Sequence, residues 1–137
     1  MTLLLVALGA ALGAPTRWWV DRTIQLRWAP LFPWGTFAVN VVGSGLLGVL
    51  AARWSAESSV MALVGIGFCG SMTTFSSFAY ETQRLATSGA RAVALANAAL
   101  TLVACLAAAA FVPSTVPSVT SKVVRLDTHP VIRTPSF

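Results

Sequence analysis

The chain has very few charged residues. Only 9% of its 137 residues are Asp, Glu, Lys or Arg, 56% are hydrophobic, and the mean hydropathy is +0.78. A soluble domain carries roughly 25% charged residues. This shortage excludes an ordinary soluble domain and predicts a membrane protein.

Residues that commonly carry enzyme chemistry are also scarce. The single His, His129, lies among prolines near the C-terminus, and the two cysteines, Cys69 and Cys105, lie within apolar runs. Two thiols without a neighbouring His do not form a metal site, so we expect them to pack as small residues. The apolar runs contain no His, Asp or Lys, which argues against a membrane-embedded enzyme.

The basic residues are not clustered. Although the net charge is +5, they are spread over helix ends and the C-terminal segment, so nucleic acid is not an expected partner. They also divide almost evenly between the two sides of the predicted bundle. Such a split permits either orientation in the bilayer, and would let two copies meet antiparallel. One side carries Arg53, Lys122, Arg125 and Arg133, and the other carries Arg17, Arg22, Arg27, Arg84 and Arg91.

Four apolar runs are long enough to cross a bilayer. They cover residues 3–20, 31–52, 60–78 and 92–112. The first is interpreted as a retained helix and not as a signal peptide, because no positive charge precedes it and arginines lie at its far end. Short connections between the runs predict one up-down-up-down bundle of four transmembrane helices over residues 1–112.

A change in composition follows Val112. Residues 113–137 contain four prolines and many Ser and Thr residues, which predicts a flexible polar tail. Its basic residues, Lys122, Arg125 and Arg133, either contact anionic lipid headgroups or are simply solvated.

The third apolar run carries an unusual polar load. Its sequence GFCGSMTTFSSFAYE, residues 67–81, contains five Ser and Thr hydroxyls, a Tyr and a carboxylate. Gly70 and the hydroxyl residues behind it are a poor sequence for a continuous helix, so we predict a break in the third helix. Unwound backbone at membrane depth must be buried in protein or line a cavity, and its carbonyl oxygens are suitable ligands for a cation such as Na⁺.

Two kinds of side chain follow the predicted break. Phe75 and Phe78 share one helical face. Such a pair usually belongs to a core, but the ring edges carry partial positive charge and can face an anion. Glu81 is expected near the helix end as an interfacial carboxylate.

Polar groups on the other helices leave alternatives open. On the first helix, Gly9 and Gly13 share a face with Arg17, and small residues at this spacing allow close helix packing. Arg17 either extends to the membrane surface or points into the bundle and attracts anions. Asn40, near the middle of the second run, forms either an interhelical hydrogen bond or a donor on an ion path.

The fourth helix presents one weakly polar stripe. Asn97, Thr101 and Cys105 recur every four residues in a segment that is otherwise mostly Ala and Leu. Because the stripe has no acidic or basic group, it is not a proton relay. It either holds helices together or forms a hydrogen-bonding track for a partly dehydrated ion.

Taken together, these motifs resemble a known family. The segments GTFAVNVVGSGLLG and GFCGSMTTFSSFAYE, with Gly9, Gly13 and Arg17, are similar to the small fluoride channels called CrcB or Fluc, over about residues 2–112. The resemblance implies a passive fluoride-selective channel in the plasma membrane that lowers cytoplasmic fluoride. It also implies an antiparallel dual-topology dimer with two pores and a central structural Na⁺. The second subunit would be an identical chain or a paralogue.

The resemblance also implies roles for individual residues. The backbone carbonyls of Gly70 and Thr73 would hold Na⁺, and Arg17 would lie in the vestibule. The implied pore residues are Asn40, Phe75, Phe78, Ser76 and Ser77, with Asn97, Thr101 and Glu81 as further pore-lining candidates. The chain departs from the common family pattern at Ala10, Gly45, Ser71 and Ser77, and none of these departures removes a matched functional group.

Other function classes fit less well. A small dual-topology drug or metabolite exporter would suit the size and the even charge split, but proton coupling needs a membrane-embedded acid. Glu81 is the only candidate, and it is predicted at a helix end. A purely structural helical bundle is the remaining alternative.

Overall fold

The computed structural model describes residues 1–27 and 31–115, and its secondary structure in these ranges is helical. A π-helical segment in the middle of the chain continues directly into a short α-helix. The elements in chain order are α1 (Thr2–Arg27), α2 (Trp34–Arg53), the π-helical segment (Met61–Cys69), α3 (Gly70–Met72), α4 (Phe75–Thr87) and α5 (Arg91–Thr115).

Four helical stretches are long and apolar enough to cross a membrane, which confirms the prediction of an all-α membrane protein with four such helices. The longest runs from Met61 to Thr87 and joins the π-helical segment, α3 and α4. The described part of the bundle therefore has the predicted number of spans. The four stretches are Thr2–Arg27, Trp34–Arg53, Met61–Thr87 and Arg91–Phe111.

Helix α1 is longer than its apolar run. It continues past Val20 to Arg27, so Arg22 and Arg27 lie on the helix and not in a loop. Local hydrogen bonds support this polar end: Gln25 Nε2 donates to Asp21 Oδ1 at 2.8 Å, and Thr23 Oγ1 donates to the Trp19 carbonyl at 2.7 Å. Hydropathy alone underestimates the length of α1, because the helix continues after its sequence becomes polar.

The backbone between α3 and α4 is extended. Thr73 has φ −75° and ψ 149°, and Thr74 has φ −149° and ψ 121°. These residues lie within the segment where the sequence predicts an interruption. On the N-terminal side, nine residues, Met61–Cys69, are wound as a π-helix, a form that usually occurs only as single turns and frequently near functional sites.

Close contact between α1 and the π-helical segment depends on glycine. A Cβ atom on Gly9 would overlap the carbonyl oxygen of Leu63, and one on Gly13 would overlap Ser71 Oγ and the carbonyl oxygen of Phe68. The predicted packing role of the Gly9 and Gly13 face is therefore observed directly. Elsewhere, α2 packs along α5, and α4 packs on α5.

The buried interior is small and partly polar. Val39 and Cys69 are among its most buried apolar residues, at 2% and 1% exposure. Four polar residues are buried beside them: Thr36, Asn40, Asn97 and Thr101. Many large apolar side chains, including Leu3, Leu102 and Val103, face outward instead. This distribution is typical of a chain surrounded by lipid, where the interior no longer holds most of the apolar side chains.

The predicted tail lies almost wholly beyond these elements. Helix α5 ends at Thr115, so its backbone includes the first three residues of the segment 113–137. Residues 116–137 lie outside the described residues, and the prediction of a flexible polar tail stays a prediction.

Candidate functional site

Asn40 holds the extended backbone at Thr74. Its Nδ2 donates to the Thr74 carbonyl at 3.2 Å, and its Oδ1 accepts from the Thr74 N–H at 2.8 Å. The Asn40 side chain lies on α2 and is only 7% exposed. A primary amide has two N–H donors, so one Nδ2 hydrogen remains for another acceptor. Asn40 therefore forms hydrogen bonds from α2 to the Thr74 backbone, and its second Nδ2 hydrogen remains beside Thr74 as a donor.

The Thr74 side chain caps the N-terminus of α4. The Ser77 N–H donates to Thr74 Oγ1 at 3.3 Å, and Thr74 Oγ1 lies 3.1 Å from Ser76 Oγ and 3.4 Å from Ser77 Oγ. This is an N-cap, which satisfies one of the free N–H groups at the start of a helix. The helix start also carries partial positive charge. Three hydroxyls therefore cluster at an end of α4 that favours anions.

Arg17 reaches the same cluster from α1. Its Nη1 donates to Ser77 Oγ at 3.4 Å, and its Nε is buried without a hydrogen-bond partner among the described residues. Of the two predicted orientations, the one pointing into the bundle is therefore observed. Because a guanidinium is always charged, Arg17 adds a full positive charge beside the partial charge of the α4 N-terminus.

Phe75 and Phe78 occupy the first turn of α4. Their ring centroids are 5.8 Å apart with an interplanar angle of 47°. Phe75 is 79% exposed, whereas Phe78 is half-buried. The pair therefore does not belong to the core of the protomer, and the Phe75 ring is available to another surface.

Gly70 and Thr73 present free backbone oxygens. The Thr73 N–H and Oγ1 both donate to the Cys69 carbonyl, at 2.9 and 3.0 Å. No donor from the described residues bonds to the Gly70 or Thr73 carbonyl. Gly70 is exposed, and a Cβ there would meet nothing closer than the Gly65 carbonyl oxygen at 3.9 Å. Gly70 therefore lies on the surface of the protomer, whereas Thr73 is half-buried.

The chemistry of these donors suits a hard monovalent cation. Within residues 1–27 and 31–115, no group of three or more His, Cys, Asp or Glu side chains could hold a metal. Neutral oxygens are another ligand type, and backbone carbonyls of an unwound helix are typical Na⁺ ligands in membrane proteins. Thr73 lies in the extended segment after α3, whereas Gly70 is the first residue of α3.

Asn97 and Thr101 lie buried between α5 and α4. Asn97 Nδ2 donates to Thr82 Oγ1 at 2.8 Å, and Thr101 Oγ1 donates to Asn97 Oδ1 at 3.4 Å. Their exposed fractions are 1% and 6%. The sequence left two roles open for this stripe, interhelical hydrogen bonding or an ion track. The structure shows the interhelical hydrogen bond from Asn97 to Thr82.

Glu81 lies further along α4, near the N-terminal end of α2. Its Oε2 is buried and has no hydrogen-bond partner among the described residues, while Thr36 lies within hydrogen-bonding reach of the carboxyl group. Asp21 and Arg84 are its charged neighbours. Glu81 and Arg84 also line a cleft of about 370 Å³ with Phe32 and other residues of the segment before α2.

Comparison with known proteins identifies the family. The profile described as "CrcB-like protein, Camphor Resistance (CrcB)" matches residues 4–112. The chain belongs to the CrcB family. This confirms the resemblance in the sequence, and the matched region covers the four membrane-spanning stretches except for the first two residues of α1.

Several curated relatives carry informative names. "Fluoride-specific ion channel FluC 1" of Frankia casuarinae is 49% identical over 118 residues, covering 80% of this chain and 92% of the relative. The protein of the same name from Streptomyces avermitilis is 48% identical, with coverages of 80% and 90%. "Fluoride-specific ion channel FluC" of Methylocella silvestris is 40% identical, with coverages of 79% and 87%. With its four spans, this CrcB family member is a multi-pass protein of the plasma membrane.

The structure brings four of the predicted site residues together. Asn40, Ser76 and Ser77 contact Thr74, and Arg17 joins this group through Ser77. Asn97 and Thr101 lie apart from this group: Asn97 bonds to Thr82, and Thr101 bonds to Asn97. Sequence reasoning did not select Thr74 or Thr82 as site residues. Thr74 had a usable signal, because a Thr directly before a helical segment is a common N-cap.

Proposed function

We propose that this chain is a passive, fluoride-selective channel that lets fluoride leave the cytoplasm and so lowers its concentration there. The names of the relatives support this, since all three are called fluoride-specific ion channels and none is named as an enzyme. The observation that carries the proposal is the convergence of the Asn40 amide, the α4 N-terminus with its hydroxyls, and Arg17 around Thr74.

This arrangement suits a small, strongly hydrated anion. A selective pore must replace the water around an ion with donors from the protein. The free Nδ2 hydrogen of Asn40 and the hydroxyls of Ser76 and Ser77 provide such donors. The ring edges of Phe75 and Phe78 add partial positive charge without a full charge that would trap the ion. Arg17 raises the local concentration of anions near the entrance.

The extended backbone at Thr73 and Thr74 is proposed to be a functional break in the third transmembrane helix. Asn40 supports it by bonding to both polar groups of the Thr74 backbone. Because unsatisfied backbone is costly at membrane depth, the carbonyls of Gly70 and Thr73 need a ligand as well. We propose that they hold a structural Na⁺, which supplies positive charge and satisfies these oxygens.

Two subunits are proposed to assemble antiparallel, with two pores. One protomer offers two free carbonyls, and a two-fold axis through the cation would double that number. The exposed positions of Gly70 and Phe75 are consistent with a covering subunit. The near-even distribution of basic residues would allow both orientations in one membrane. The partner would be an identical chain or a paralogue.

Fluoride transport itself gives the first prediction. Liposomes that contain the purified protein and a K⁺ ionophore should release fluoride without a pH gradient, and should release chloride far more slowly. Protein-free liposomes provide the background. A fluoride electrode measures the efflux. Comparable chloride efflux, or efflux only with a pH gradient, would contradict a passive fluoride-selective channel.

The exporter alternative makes a different prediction in the same liposomes. An exporter would depend on a membrane-embedded acid, and Glu81 has a buried oxygen without a partner among the described residues. Under the channel proposal, fluoride efflux from the wild-type protein follows the fluoride gradient and stays independent of an imposed proton gradient. If efflux followed the proton gradient and Glu81→Gln removed that dependence, the exporter would be favoured instead.

Substitution at Gly70 tests the proposed dimer contact without disturbing the fold of the subunit. Since the protomer leaves room for a Cβ there, Gly70→Ala should keep the fold of the subunit but weaken the proposed two-fold contact and cation site. Gly70→Val should weaken this contact and site more strongly, because its larger side chain would collide with the partner subunit. Size-exclusion chromatography with light scattering should show a larger monomer fraction.

A second glycine serves as the control for this experiment. A Cβ on Gly48 would overlap the Ala109 carbonyl oxygen within the same chain, so Gly48→Ala should lower the thermal stability of the subunit itself. If Gly70→Ala leaves the dimer fraction and its dependence on Na⁺ unchanged, the proposed central site is wrong.

A further inference from the structure

A directed chain of hydrogen bonds connects α5 to the first half of α4. Thr101 Oγ1 donates to Asn97 Oδ1 at 3.4 Å, and Asn97 Nδ2 donates to Thr82 Oγ1 at 2.8 Å. Thr82 Oγ1 in turn donates to the Phe78 carbonyl oxygen at 2.8 Å. The chain therefore ends on the backbone of Phe78.

The last link determines the direction of the others. A carbonyl oxygen only accepts, so the Thr82 hydroxyl must use its single hydrogen for Phe78. Thr82 Oγ1 can then only accept from Asn97, which places the Nδ2 side of the amide toward α4 and leaves Oδ1 for Thr101. Each of the three hydrogen bonds then pairs a donor with an acceptor, and this favours one arrangement of the amide over its flipped form.

Asn97 and Thr101 of this hydrogen-bond chain are buried and do not line a water-filled path. Asn97 is 1% exposed and Thr101 is 6% exposed. Asn97 shares its buried face of α5 with Ala94, which is 4% exposed. Asn97 Nδ2 has a second hydrogen, but with 1% of the residue exposed an ion could reach it only if the surrounding side chains moved apart. Within the described residues, this amide is better suited to holding two helices than to solvating an anion.

We infer that Asn97 and Thr82 form a positioning pair that holds Phe78 in place through its carbonyl, and that Asn97 does not itself contact fluoride. The inference rests on the proposed function, in which Phe78 lines the pore. It assigns a role to Thr82, which follows Glu81 in the sequence. It also gives Asn97 a role different from the pore-lining one expected of the fourth-helix stripe.

The test compares two substitutions at Thr82. Thr82→Val keeps the shape but removes the hydroxyl, so both hydrogen bonds are lost. Thr82→Ser keeps the hydroxyl and should restore most of the flux. Loss of one to two hydrogen bonds predicts that Thr82→Val lowers fluoride efflux about two- to tenfold. Asn97→Leu should produce a similar decrease, so the result does not depend on one variant folding.

A matched control lies further along the same helix. Thr87 Oγ1 also bonds to carbonyls of α4, those of Gln83 and Arg84, but it is exposed and, among the residues that the structure describes, has no hydrogen bond to α5. Thr87→Val should leave efflux unchanged. Dimer fraction and thermal stability are measured for every variant, so that a lower flux is not attributed to misassembly.

Combination with Phe78 distinguishes positioning from general stabilisation. If Thr82 acts through Phe78, Thr82→Val should reduce efflux in the wild type but add little once Phe78→Leu has removed the ring. Combined with Phe75→Leu, its effect should stay multiplicative. Equal effects in all three backgrounds, or wild-type efflux in Thr82→Val and Asn97→Leu, would overturn the inference while the proposed function stands. Absence of fluoride efflux from the wild type would overturn both.

Discussion

Asn40→Asp is expected to abolish fluoride flux. Aspartate has nearly the same shape as asparagine, but an oxygen replaces the Nδ2 that donates to the Thr74 carbonyl at 3.2 Å. Two acceptors would then face each other at the start of α4. The carboxylate would also place a negative charge where an anion must pass, and this repulsion amounts to several kcal/mol or more in a poorly solvated site.

A neutral variant separates the charge from the hydrogen bonds. Asn40→Leu has a similar size and loses both bonds to Thr74, each worth about 0.5–1.5 kcal/mol. We expect it to reduce fluoride efflux strongly but to leave a measurable residual efflux. Its thermal stability should fall about as much as that of Asn40→Asp. Flux from Asn40→Asp above that of Asn40→Leu would show that Asn40 only connects α2 to Thr74 and does not face the ion.

The spans could be predicted from the sequence because lipid imposes a simple requirement. About 20 apolar residues are needed to cross a bilayer, and four such runs stand out in this composition. Their ends were less predictable. Helix α1 continues to Arg27 because side-chain hydrogen bonds such as that between Gln25 and Asp21 support a polar helix end, which hydropathy does not register.

The site was predictable where local sequence determines it. Gly9, Gly13 and Arg17 share a face because of helical periodicity, and all three contact the third span. Partners across elements were not predictable in this way. Asn40 and Thr74 are 34 residues apart, and Asn97 and Thr82 are 15 apart, so only the packed structure reveals that each pair bonds. Family resemblance supplied Asn40, but the residues themselves left its partner open.

The second large effect concerns the contact between α1 and the third span. A Cβ on Gly9 would overlap the Leu63 carbonyl oxygen and would lie 2.8 Å from the Phe68 nitrogen. Both are backbone atoms, so no side chain can rotate away and α1 must move as a unit. Overpacking of this kind costs about 1–3 kcal/mol, whereas replacing Gly by Ala inside a helix returns only about 1 kcal/mol of propensity.

Gly9→Ala is therefore expected to destabilise the subunit and also to reduce fluoride flux. Arg17 lies on the same face of α1, and its 3.4 Å contact with Ser77 would lengthen as α1 is displaced. Ala11→Val, on the exposed side of α1, adds more bulk without touching the third span and should behave as wild type. Thermal melting and liposome efflux would be measured on both proteins. If Gly9→Ala matches Ala11→Val in melting temperature and fluoride efflux, the close approach of α1 does not position Arg17.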